Sequence, residues 1–335
     1  MNSVKNLLIP PIFLIIVGFL PVLSMAQETK TNNHASFSFY FGNDSFAGTD
    51  RCFTGGLKLS WTSKNLENYH KSPWLKWLPF VKKPEFQQAI SISLGLNAFT
   101  PDNIQRSDLL EEDRPYAGYL YLALGIHSRS NLRLDTLEFG LGIIGPHSYG
   151  EELQRSIHEL FNFIEPKGWH NQLKDEFTFQ VIYERKWKVF QSGTSDGFGF
   201  ELIPHLGGGL GNVYIYAHTG AQLRWGWNLP DDFGTSLIRP GGDCNLGFWT
   251  RGPFGIYAFA GVDGKAVLRD MFLDGNTIRD SHRVDKNAFV ADIQVGIGLR
   301  TGRFNLSYSY VFWTKRFETE SEEQIFGVFQ ISYSY

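Results

Sequence analysis

The sequence predicts an all-β protein: an antiparallel transmembrane β-barrel of about twelve strands, with a short helix in an extracellular loop. Three observations predict it. The last eleven residues alternate, with Ile325, Phe329, Ile331, Tyr333 and Tyr335 on one side and Val328, Gln330, Ser332 and Ser334 on the other, mostly polar, side. Strand side chains point to opposite faces with period two, and a membrane barrel needs one apolar and one wetter face with aromatics at its rims. The N-terminus reads as an export signal. Lys5 precedes an apolar stretch, Leu7 to Leu23, and Ser24-Met25-Ala26 supplies small residues for cleavage. Beyond that signal no apolar run reaches the roughly 20 residues of a membrane helix. Residues 1–26 are thus expected to be removed, leaving 27–335 as one outer-membrane barrel domain.

Taken in order, the strands are expected near 35–41, 54–63, 87–97, 117–129, 131–144, 175–189, 197–209, 212–226, 253–268, 287–301, 303–315 and 323–335. Several show clear period-two patterning, as in Ile90, Ile92, Leu94 and Leu96 against Ser91, Ser93 and Gly95. A thirteenth candidate, 243–250, alternates poorly and is set aside, since bacterial single-chain barrels have even strand counts. An even count places both termini in the periplasm. The tight connections at Ser130-Asn131 and Thr301-Gly302 then fall on the periplasmic side, as do the long ones, 64–86 and 227–252. Gly150 to Phe163 breaks the pattern. Leu153, Ile157, Leu160 and Phe161 recur at helical spacing, and Ser148 with Glu151 has capping-box spacing. A helix with no duty in closing the sheet points to function.

Composition excludes some classes. The net charge of −3 gives no bulk electrostatic case for nucleic acid. Cys52 and Cys244 can pair after export or stay as two thiols; two distant cysteines make no disulfide framework. A barrel closed by one chain is expected to act as a monomer.

Three connections hold the chemistry, and strand parity sends all three to one rim. They are Gly42 to Gly56, Phe99 to Gly118, and Gly145 to His158. Gln154 and His158 are four apart and share a helix face. A histidine titrates near working pH and suits a general base, or simply packs. Asp44 and Asp50 offer the hard oxygens that suit Ca²⁺, whereas Asn-Asp pairs also form turns. No Gly-x-Ser-x-Gly elbow indicates a serine nucleophile.

These residues resemble a family. Asn43-Asp44, Thr54, Gly145-Pro146 with Gln154 and His158, the Asp-Arg…Phe-Thr-Gly-Gly segment and the Asp-Arg-Pro-Tyr-Ala-Gly segment are similar to those of the outer-membrane lipid A 3'-O-deacylases. The resemblance spans the mature chain. It implies a calcium-dependent esterase of the outer membrane, with its site facing outward between the barrel wall and a helical loop. It also implies site roles for Asn43, Asp44, Thr54, Gln154 and His158, with Asp44 holding Ca²⁺. The family's lysine has no counterpart; counting from Phe99-Thr100-Pro101 lands on Arg106. Arg106 or Arg114 takes the phosphate-facing role, or the substrate preference differs. Arg51, Arg106 and Arg114 are expected to pair with lipid A phosphates. The expected reaction is water attack on a 3'-linked acyl ester, with His158 as base, Asn43 donating to the oxyanion, Gln154 orienting and Thr54 positioning. The rival expectations are an outer-membrane phospholipase and a non-enzymatic porin or adhesion barrel.

Overall fold

A computed structural model of the chain describes residues 34–44, 52–66, 86–193, 197–235 and 254–335, with side chains in the second stretch from residue 55. The expected export signal and the candidate strand 243–250 lie outside the described residues.

All the strands pair antiparallel in one sheet: β1 (Ser36–Asn43), β2 (Cys52–Thr62), β3 (Gln87–Thr100), β4 (Ala117–Arg129), β5 (Arg133–Ile144), β6 (Glu176–Trp187), β7 (Phe190–Gly193), β8 (Phe198–Gly211), β9 (Tyr214–Trp227), β10 (Phe254–Asp270), β11 (Phe289–Thr301), β12 (Phe304–Trp313) and β13 (Gln324–Ser334). Pairing of β1 with β13 and of β6 with β8 closes twelve of them into a barrel. The extra strand is β7, which pairs only with the overhanging end of β8. The sequence reading did not anticipate it, because Phe-Gln-Ser-Gly is too short to show a period. The other strands match the expected ones to within a few residues.

Among the described residues two α-helices complete the fold. The first, α1, runs Gly150–Phe161 in the β5–β6 connection, and the second, α2, runs Met271–Asp274 after β10. Connections β1–β2, β3–β4, β5–β6, β8–β9, β10–β11 and β12–β13 share the rim opposite the chain ends. Short turns mark the other rim, such as Ser130 N–H to the Arg133 carbonyl (2.7 Å).

The wall shows polarity reversed from that of a water-soluble protein. Phe37, Leu59, Leu94, Leu122, Phe139 and Leu141 are exposed on the outside. Inward hydroxyls and amides pair across strands: Ser38 with Ser332 (2.8 Å), Ser93 with Ser60 (3.0 Å) and Gln294 with Ser309 (2.9 Å). Ions fill the lumen further round. Arg224 bonds Glu201 and Asp232, and Lys188 reaches Asp231 at 2.9 Å. Asp263 Oδ1 accepts from both His205 (2.9 Å) and His218 (2.8 Å). This trio has the residue types of a metal site. Its members are already bonded to one another, however, and the Lys265 ammonium lies 3.6 Å from Asp263, where a metal's charge would act.

Below the rim opposite the termini the lumen turns aromatic. Asp270 caps α2 by accepting from the Phe272 N–H (3.0 Å). The helix thereby drives Phe272 inward against Phe99 (4.4 Å between ring centres) and Tyr119 (5.7 Å). Tyr40, Tyr121, Met271 and Phe326 join the same buried cluster. A lumen cavity beside Lys186, His205 and Asp263 measures about 30 Å³, on the scale of a water molecule or two.

Candidate active site on the outer wall

Near the rim opposite the termini, the outward positions of adjacent strands carry small residues. Gly55, Ala98 and Gly118 stand opposite one another across β2, β3 and β4. On β1 the outward series Phe37, Phe39, Phe41 ends at Asn43. Elsewhere such positions are exposed to the surroundings, yet Asn43 is only 2% exposed and Ala98 is fully covered. The cover is α1 and the turns that flank it.

Absent side chains allow that close approach. A Cβ on Gly118 would lie 2.1 Å from Ser148 Oγ and 2.8 Å from Gly150 Cα. A Cβ on Gly150 would lie 2.5 Å from Gly118 Cα. At the next turn Ile157 Cδ1 and Asn43 Nδ2 both come within 4 Å of the Cβ position of Gly55. Leu153 packs against Ala98, Tyr116 and Trp169. The helix that carries His158 therefore lies over the strand end that carries Asn43, and Asp44 follows, buried at 2% exposure.

The start of α1 differs from the capping box that the spacing suggested. Tyr149, in the left-handed region (φ 62°), is the N-cap, and no side chain caps the helix. Pro146 opens a short 3₁₀ turn, Pro146–Ser148. The Ser148 hydroxyl closes that turn by donating to the Gly145 carbonyl (2.5 Å) and is buried against Gly118. It is thus committed away from the helix N–H groups, and Glu151 pairs with Arg155 instead (3.0 Å).

Both α1 residues singled out from the sequence face inward. Gln154 is fully buried and His158 is 3% exposed. Trp169 Nε1–H donates to Gln154 Oε1 at 2.6 Å. An indole nitrogen only donates, so the carboxamide oxygen is fixed and the Gln154 amino group faces His158 Nε2 at 3.4 Å. On the other side of the ring His158 Nδ1 lies 2.5 Å from the Ile164 carbonyl oxygen. A carbonyl only accepts, so Nδ1 carries the proton and Nε2 presents its lone pair. The turn that brings Ile164 there depends on Asn162 in the left-handed region (φ 56°), with Phe163 N–H donating to the His158 carbonyl (2.8 Å).

The remaining predicted residues distribute unevenly. Thr54 falls in a β-bulge, where Cys52 opposes Thr100 and Gly55 opposes Ala98; bulges recur beside active sites. Its side chain, Arg51 and Cys244 lie outside the described residues. Arg106 is exposed and its guanidinium is engaged by Asp108. Arg114 is buried, with its guanidinium 4.7 Å from the centre of the lumen-facing Phe99 ring. Beside it, burial pushes the Asp113 carboxyl above its usual range, against the backbone N–H groups of Asp102 and Arg114 that favour its charge. Trp169 and Asn162 were not anticipated. The indole contact to Gln154 and the left-handed turn at Asn162 are both visible only in the folded loop.

Fold and site together define an outer-membrane β-barrel with a histidine-bearing site on its lipid-facing wall, outside the lumen. A family model described as outer membrane protein LpxR matches residues 12–335, so the chain belongs to that family. Among solved structures, LpxR from Salmonella typhimurium is similar at 20% identity, with 89% of this chain and 99% of that chain covered and a TM-score of 0.72. The β domain of the Bordetella autotransporter BrkA is similar at 9% identity, with 91% and 100% covered and a TM-score of 0.44. The translocator domain of NalP from Neisseria meningitidis gives 11% identity, 90% and 87% covered and a TM-score of 0.35. No relative is found among curated protein sequences.

Proposed function

We propose that the protein is a calcium-dependent ester hydrolase of the outer leaflet that removes a 3'-linked acyl chain from lipid A. One observation carries the reading: a buried histidine, its acceptor nitrogen set by its own fold, sits on the outside of the barrel. A lipid reaches that place sideways from the leaflet without entering the lumen. Membership of the family and the deacylase-like motifs support the choice of substrate.

His158 Nε2, which the Gln154 amino group faces only at a long 3.4 Å, takes a proton from a water molecule that replaces that contact, and the water oxygen attacks the ester carbonyl. The oxyanion that forms accepts a hydrogen bond from Asn43 Nδ2–H, a contribution typically worth ~2.7–4 kcal/mol. His158 then returns its proton to the departing sugar oxygen, giving a free hydroxyl and a fatty acid. Gln154 holds the imidazole, and Thr54 is assigned to water or substrate positioning. Arg51 and Arg106 are assigned to the phosphates; Arg114, expected there from the sequence, is buried over the lumen-facing Phe99 ring and so is left out of that role.

The donor set near Asn43 suits Ca²⁺. Asp44 supplies a buried carboxylate and Asn43 an amide oxygen. Among the described residues Asp44 belongs to no cluster of three or more carboxylate, imidazole or thiol groups, so backbone and water oxygens would complete the shell. A bound Ca²⁺ would supply Lewis-acid polarisation of the carbonyl.

Purified protein incubated with lipid A is expected to release the 3'-acyl group, read by mass spectrometry. Release from phospholipid instead would move the substrate to that class. Chelation with EGTA is expected to stop turnover and added Ca²⁺ to restore it. Unchanged turnover would remove the metal from the reading. Trp169→Phe keeps the apolar packing and deletes the donor to Gln154. Turnover is expected to fall about fivefold, the size of one net hydrogen bond. Wild-type turnover in that variant would show that the indole N–H does not hold the amide.

A further inference from the structure

We propose that Phe161 and Phe163, flanked by Leu160 and Ile164, form the seat on which the acyl chain to be cut lies beside His158; this rests on the hydrolase reading above. Leu160 is 77% exposed, and Phe161, Phe163 and Ile164 are also exposed. Four large apolar side chains within five positions thus close a helix whose other exposed residues include Glu152 and Glu159. Such a patch on a water-facing loop is costly unless something covers it.

Its place in the fold says what covers it. The helix lies on the outer wall of β2, β3 and β4, above Leu59, Leu94 and Leu122 of the exposed apolar belt. The patch therefore continues the lipid-facing surface toward the rim. It also leads to the reactive group. The Phe163 ring meets His158 edge-on with ring centres 5.6 Å apart, and Phe161 stacks on Phe163 at 5.7 Å and 23°. The left-handed Asn162 and the Phe163 N–H to His158 carbonyl bond hold this arrangement. A hydrocarbon chain laid along the rings ends with its carbonyl next to the imidazole.

An apolar seat discriminates by chain length, each buried methylene contributing roughly fourfold to binding. The test uses full-length protein in detergent micelles and two lipid A derivatives that differ only in a butyryl or a myristoyl ester at the 3'-position. In Phe161→Ala/Phe163→Ala, kcat/KM for the myristoyl ester is expected to fall about ten- to a hundredfold, while the butyryl ester stays within about twofold. Phe163→Leu should recover most of the myristoyl rate. Equal losses on both esters would overturn the seat and make the rings positioning residues for His158. No loss on the myristoyl ester would also overturn it. The same assay repeated in phospholipid vesicles, with a loss there only and alike on both esters, would assign the patch to membrane anchoring instead. Wild-type protein that cleaves neither ester would take down the hydrolase reading itself, and the seat with it.

Discussion

His158→Ala is expected to abolish ester hydrolysis, lowering turnover by roughly 10²–10⁴-fold, the usual worth of a positioned general base. The barrel is expected to survive. His158 sits on a helix laid over the outside of the wall, and strand pairing from β1 through β13 does not involve it. Heat-modifiable migration on a gel should therefore match the wild type. His158→Asn should be equally inactive, since its carboxamide has no acceptor nitrogen with the required basicity. If either folded variant still releases the 3'-acyl group, His158 is not the base.

Gly118→Ala should cost nearly as much, from a residue that touches no substrate. Its new Cβ would fall 2.1 Å from Ser148 Oγ, 2.8 Å from Gly150 Cα and 2.9 Å from Gly150 N. A side chain can rotate away, but the backbone of Gly150 cannot, so the N-terminus of α1 must lift from the wall. Displacing a catalytic group by about 1 Å can cost on the order of 100-fold, and a comparable loss of kcat is expected here. Gly55→Ala is the matched control. Its Cβ meets Ile157 Cδ1 at 3.5 Å and Asn43 Nδ2 at 3.7 Å, ordinary contact distances. That variant should keep activity within about threefold, since contacts of 3.5 Å or more are ordinary van der Waals separations that leave the helix in place. Similar rates for the two variants would show that the helix does not need its close seat on β4.

The strands were legible because lipid outside and polar groups inside impose one rule on every spanning residue. Alternation such as Ser91-Ile92-Ser93-Leu94 follows from that rule alone. Four-residue β7 was not legible, since a period needs several repeats to show. The helix could be placed from Leu153, Ile157 and Leu160, but its cap could not. Ser148 has the right spacing, and only the folded turn shows its hydroxyl spent on Gly145. Arg114 reads from the sequence as a phosphate partner on the rim. Where its guanidinium goes, over Phe99, depends on the path of the loop that carries it.

The sequence by itself determined a closed antiparallel barrel, the rim where its unusual loops meet, and the residue types gathered there. Those follow from local pattern and strand parity, which act over a few residues at a time. Tertiary structure alone decided that the Nε2 of His158 is the acceptor nitrogen, and that Gly118 and Trp169 hold its helix and its glutamine. The first needs the left-handed turn that returns Ile164 to the ring, and the others need β4 and the Trp169 turn to come against the helix; no short-range pattern in the sequence encodes either geometry.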